Sequence, residues 1–215
     1  MTDWRALPPA EIERRSFEII TQELGETSLS PVELLVLKRV IHTTADFEYA
    51  KTLYFSAGAA ERGIDLLRRG AHILTDTNMA KSGVNKAALS KLGGEVHCFM
   101  ADEAVARQAV AQGITRAAIS MEKIAELPRP LIVAVGNAPT ALLRLHELAD
   151  EGVLPPDLII AAPVGFVNVV ESKQVIEQGN TPCIVARGRR GGSTVAAAIC
   201  NALLYEAVRR LEGGM

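Results

Sequence analysis

Aromatic residues make up only 4% of this 215-residue chain, and tryptophan occurs once. The core must therefore be filled by alanine, leucine, valine and isoleucine, for which a hydrophobic content of 48% is ample. Cysteine is scarce too. Cys98, Cys183 and Cys200 are odd in number and lack metal-ligand spacing, so neither a disulfide framework nor a zinc site is indicated. Charge of one sign is missing: 23 basic against 25 acidic residues give a formal net charge of −2, without the basic bias of a general nucleic-acid binder. An anionic small molecule is still a fitting ligand, because local arginine clusters matter more than the total. No apolar run approaches a membrane span, and residues 1–9 carry no apolar signal region, so a soluble cytoplasmic protein is expected.

The first fifty residues read as helical. Pro8-Pro9 precede a segment with Ile12, Phe17, Ile19, Ile20 and Leu24 apolar, which stops at Gly25. Ser30-Pro31-Val32-Glu33 then supplies a cap serine, a proline at the first helical position and a glutamate placed for a capping box. From about residue 70, short apolar runs alternate with amphipathic segments. Candidate strands are His72–Thr75, Val96–Phe99, Leu131–Val135, Leu158–Ala161 and Cys183–Ala186, with the length and two-sided apolarity of buried parallel strands. Helix signals cover Glu61–Arg69, Glu103–Gln112, Thr140–Glu151 and Val169–Gln178, each stopped by glycine, and Thr194–Leu211 closes the pattern. The expected fold is α/β: a doubly wound parallel sheet with helices on both faces, preceded by an N-terminal helical segment. No linker or internal repeat interrupts it, so residues 1–215 read as one domain.

In such a sheet the ligand site lies outside the carboxyl ends of the strands. The loops expected there are polar or glycine-rich: Asp76-Thr77-Asn78-Met79, Gly136-Asn137-Ala138-Pro139, Pro163-Val164-Gly165-Phe166-Val167-Asn168, and Arg187-Gly188-Arg189-Arg190-Gly191-Gly192-Ser193-Thr194. The last places three arginines before a glycine pair and a hydroxyl residue that opens a helix. Backbone amides at a helix start bind carboxylate or phosphate, and guanidinium groups pair with either. The bland alternative is a tight turn with solvated arginines. A nucleotide-dependent enzyme would use this segment as a phosphate loop, but the lysine and spacing of that motif are missing. Asn137 serves either as a helix cap or as a ligand contact, Asp76 likewise as a cap for a short helix or a site residue, and Lys81 either as a solvated side chain or as a site residue. His72, His97 and His146 have no partner spacing and read as structural.

His42 is the candidate for proton chemistry. It stands at the end of the capped helix, in Val40-Ile41-His42-Thr43-Thr44-Ala45-Asp46, where an imidazole either complements the helix dipole or exchanges a proton near neutral pH. Thr43, Thr44 and Asp46 are placed to orient it, and Asp46 equally to cap the next turn.

Five blocks in order resemble the precorrin-8X methylmutase family: Ile41–Asp46, Thr75–Met79, Gly136–Leu142, Pro163–Lys173 and Gly188–Ser193. The resemblance spans nearly the whole chain. It implies cobalamin biosynthesis and migration of a methyl group from C-11 to C-12 of the corrin macrocycle, giving hydrogenobyrinate or its cobalt-containing counterpart. It further implies a homodimer with its site near the dimer interface, and His42 as the group that hydrogen-bonds or protonates the ring during a [1,5]-sigmatropic shift. Substrate contacts are expected from Thr43, Thr77, Asn78, Asn137, Gly165, Arg187, Arg189, Arg190, Gly191, Gly192 and Ser193. An intramolecular migration needs no nucleophile, metal or hydride carrier, so no cofactor and no metal site are expected; it needs a rigidly held ring and a proton donor. A non-catalytic tetrapyrrole carrier on the same scaffold is the alternative.

Overall fold

Alternate residues of each central strand are buried on opposite faces of one sheet. Ile132 and Ala134 enter one apolar layer while Leu131, Val133 and Val135 enter the other, and Ile160 and Ile159, or Ile184 and Val185, divide in the same way. Both faces of such strands need a cover, which helices supply. The structure, a computed structural model, describes residues 8–213.

In chain order the elements are α1 (Pro9–Leu24), α2 (Pro31–Thr44), α3 (Tyr49–Thr52), β1 (Leu53–Phe55), α4 (Ala59–Arg68), β2 (His72–Thr75), α5 (Asn78–Gly83), α6 (Lys86–Lys91), β3 (Val96–His97), α7 (Glu103–Gln112), α8 (Arg116–Glu122), β4 (Leu131–Val135), α9 (Pro139–Asp150), β5 (Leu158–Ala161), α10 (Val169–Gln178), β6 (Cys183–Ala186) and α11 (Ser193–Glu212). The sheet order is β1-β6-β5-β4-β2-β3. Strands β2 to β6 run parallel, as expected from their two-sided apolarity. One layer is built on α2, α4 and α11, the other on α8, α9 and α10. Among the described residues no helix is long and apolar enough to cross a membrane.

The expected capping box of α2 is present: Ser30 Oγ accepts from the Glu33 N–H at 3.3 Å, and Glu33 Oε2 accepts from the Ser30 N–H at 2.8 Å. The second expected strand, β3, is shorter than Val96–Phe99, ending at His97. One strand was not expected at all. Leu53–Phe55 pairs antiparallel with β6, setting Leu53 opposite Ala186 and Phe55 opposite Ile184. An antiparallel edge strand on an otherwise parallel sheet is common, and here it decides where the N-terminal helices sit. Because β1 starts beside the end of β6, the segment leading into it, residues 45–52, lies at the carboxyl rim. Thr52 O accepts from the Arg187 N–H at 2.8 Å to seal that junction.

Candidate active site

Asp76 follows β2 directly, where a short polar side chain ordinarily caps the next helix. It does not do so. Thr77 is the cap of α5, its Oγ1 accepting from the Ala80 N–H at 3.0 Å. Asp76 is completely buried, and its Oδ1 accepts from the Gly136 N–H at 2.8 Å. Its Oδ2 accepts from the N–H groups of Asn137 at 2.8 Å and Ala138 at 2.7 Å. Burial pushes the carboxyl above its ordinary pKa, and the three backbone donors oppose that shift. The carboxylate thus ties the loop after β2 to the loop after β4. These strands flank the point where the strand order reverses, the usual ligand position in an open α/β sheet.

The other rim loops are stitched to this pair. Thr77 Oγ1 and Ser193 Oγ lie 2.7 Å apart, joining the β2 loop to the start of α11. The Gly192 N–H donates to Ala162 O at 2.8 Å, and the Gly165 N–H donates to Arg189 O at 3.2 Å. A Cβ on Gly136 would lie 2.6 Å from Ser193 Cα, and one on Gly191 would lie 2.2 Å from Ala162 O. Glycine is therefore required at both positions for the loops to touch. The four polar loops do converge on one rim, as their positions after successive strands imply.

His42 stands near the end of α2, three residues before the segment that lies at the carboxyl rim. It is exposed on the last turn of the helix, which ends as Ala45 takes a left-handed conformation at φ 53°. The imidazole packs at a tilt against the Phe17 ring of α1, with centroids 5.1 Å apart. The expectation that Thr43 and Thr44 orient it is corrected: their hydroxyls donate to Arg39 O and Val40 O at 2.9 Å, bonds internal to the helix. Asp46 does cap the following turn, accepting from the Glu48 N–H at 2.9 Å. Its second oxygen pairs with Arg190 Nε at 2.8 Å, linking the His42 turn to the arginine loop.

The three arginines are not equivalent. Arg187 forms a two-bond ion pair with Glu177, with Nε 2.9 Å from Oε2, and its guanidinium stacks 4.2 Å from the Tyr54 ring centroid. Both contacts hold its guanidinium in place. Arg190 is occupied by Asp46. Arg189 is exposed, with its guanidinium 5.4 Å from the Phe166 ring centroid and, among the described residues, no carboxylate partner. Ser193 is buried, and its hydroxyl and that of Thr77 are bonded to each other. Asn78 and Asn137 stay exposed on the rim, and Asn137 caps no helix, since the N-cap position of α9 belongs to Ala138. Met79, Phe166 and Val167 on the same loops are 67%, 81% and 78% exposed, an apolar surface beside the polar one. His72 and His97 instead hydrogen-bond to each other at 2.9 Å on the β2–β3 edge, in keeping with a structural role.

A family model described as precorrin-8X methylmutase matches residues 11–206. The chain belongs to the precorrin-8X methylmutase family. It is 46% identical over 205 residues to the cobalt-precorrin-8 methylmutase of Salmonella typhimurium, covering 92% of this chain and 95% of that one. The precorrin-8X methylmutase of Pseudomonas aeruginosa is 39% identical over 198 residues, covering 91% and 94%. The crystal structure of the Thermus thermophilus precorrin-8X methylmutase superposes with a TM-score of 0.83 at 41% identity, covering 95% of this chain and 99% of that one. A methylmutase of cobalamin biosynthesis is an isomerase, an enzyme that transfers a methyl group within one molecule. Among the rim residues, Asp76 ties two loops where a helix cap was expected, and Asp46 adds to its expected cap an unexpected pair with Arg190. Neither contact has a local signal, since one partner lies 60 residues away and the other 144.

Replacing Asp76 with asparagine keeps the shape but turns an NH₂ toward buried backbone donors. We expect a loss of roughly 1–3 kcal/mol for each N–H left unsatisfied. Urea denaturation measures this, and an unchanged midpoint would show that the three bonds do not hold the rim together.

Proposed function

We propose that this methylmutase moves a methyl group from C-11 to C-12 of the corrin macrocycle, with His42 as the hydrogen-bonding group or proton donor. The observation that carries this reading is the position of His42: exposed, on a capped helix, braced by Phe17, and tied to the arginine loop through Asp46 and Arg190. A sigmatropic shift passes the methyl group across the π system of one molecule. It requires no external nucleophile and no leaving group. What lowers its barrier is a hydrogen bond or proton that favours the electronic arrangement of the migrating state, together with a ring held in one orientation. One imidazole supplies the first. The apolar side chains of Met79, Phe166 and Val167 suit the faces of a flat conjugated ring, and Arg189, Asn78 and Asn137 suit its peripheral carboxylates.

The relatives carry both names, cobalt-precorrin-8 and precorrin-8X methylmutase. Incubation with metal-free and with cobalt-containing precorrin-8 therefore tests the function directly. Migration alters the conjugated path, so conversion to hydrogenobyrinate or its cobalt counterpart appears in the visible spectrum. In that assay His42→Ala should lower turnover by roughly 10²–10⁴-fold, the usual contribution of a positioned proton donor. Folding by circular dichroism and binding of hydrogenobyrinate should be largely kept. Near-normal turnover by the folded variant would remove His42 from the chemistry.

We further propose a homodimer, the commonest closed assembly. Light scattering at micromolar concentration should return about twice the mass of one chain; a monomer alone would contradict it.

A further inference from the structure

Lys173 stands one turn into α10 and is 1% exposed. A lysine is almost never buried so completely unless its ammonium is paired. Among the described residues no carboxylate pairs with this one. Its Nζ instead donates to Gly188 O at 2.7 Å and to Arg190 O at 2.8 Å, both in the loop between β6 and α11. Burial pushes the amine down to about 8, so it still carries its charge at neutral pH.

Those two bonds fix more than the carbonyls. In a trans peptide the carbonyl and the following N–H point in opposite directions. Drawing the oxygens of Gly188 and Arg190 inward turns the N–H groups of Arg189 and Gly191 outward. Among the described residues neither N–H meets a backbone acceptor. The intervening peptide is anchored separately, because Arg189 O accepts from the Gly165 N–H at 3.2 Å. Gly188 at φ 73° and Gly191 at φ 156° permit a course that other residues would resist. The guanidinium of Arg189, on the same loop, has no carboxylate partner among the described residues and lies 5.4 Å from the Phe166 ring centroid. Backbone N–H groups turned outward from one loop that also carries a cation make an anion-binding concavity.

We propose that Lys173 is a positioning residue, and that it shapes a carboxylate-binding nest from the Arg189 and Gly191 amides and the Arg189 guanidinium. Its ligand is one peripheral carboxylate of the substrate, so the proposal rests on the corrinoid reading above. Lys173 itself touches no substrate.

The test is a titration of hydrogenobyrinate, and of its fully methyl-esterified form, against the wild-type enzyme, K173M and K173R. K173M should bind the free acid about tenfold or more weakly, the scale of a lost charge-assisted contact. It should bind the ester as the wild type does. K173R, which keeps a cation and its donors, should recover most of the loss. In turnover, KM should rise by a similar factor while kcat changes by less than about threefold, as for an interaction made equally in ground and transition states. An equal loss for acid and ester would make Lys173 only a structural support and overturn the proposal. Unchanged acid binding by folded K173M would also overturn it. Circular dichroism establishes folding; should K173M fail to fold, K173Q takes its place under the same two criteria. Failure of the wild type to bind hydrogenobyrinate at all would instead remove the corrinoid reading, and this proposal with it.

Discussion

The rim depends on a buried carboxylate placed at the one point of the sheet where neighbouring strands lead their chains to opposite sides. Strands leaving such a point tend to leave a crevice between their loops, and nothing in the strand ladder itself closes or shapes it. Asp76 does so by accepting three backbone N–H groups from the facing loop. Charge-assisted bonds of this kind contribute roughly 1.5–3 kcal/mol each, which offsets part of the cost of removing a carboxylate from water, burial still holding the carboxyl above its ordinary pKa. The Gly136 segment is thereby held where α11 can start against it, and Thr77 and Ser193 close the same seam. From there the ties run outward to Ala162, Gly165, Arg189 and Lys173, so that every loop of the rim is referred back to one side chain.

Such stiffness suits an intramolecular reaction. A methyl shift within one molecule has no second reactant to capture, so the protein contributes orientation and electrostatics. On the proposed mechanism the donor approaches from the N-terminal helices while the rest of the rim belongs to the sheet. The two halves must then be in register. The packing of α2 on α11, an antiparallel strand of three residues and one ion pair between Asp46 and Arg190 contribute to that register.

The strands were legible in the sequence because burial on both faces writes a continuous apolar run, and four of the five expected strands keep their bounds. Helices α7 and α10 were legible to the residue because glycine stops them. What escaped notice has a common cause. Leu53-Tyr54-Phe55 is too short to show a period and follows directly on a helical turn. Its pairing with β6 is a contact across some 130 residues. Asp76 reads as the cap of the short helix after β2, and only the facing loop shows that Thr77 takes that place. Three arginines in one loop look alike in sequence, yet Glu177, Asp46 and open rim divide them into separate roles.

The most direct test of the whole arrangement is a crystal structure of the enzyme with hydrogenobyrinate bound. The macrocycle is expected over the carboxyl ends of β4, β5 and β6, with a ring atom within hydrogen-bond distance of the His42 imidazole. A macrocycle seated elsewhere on the protein, with His42 out of reach, would contradict it.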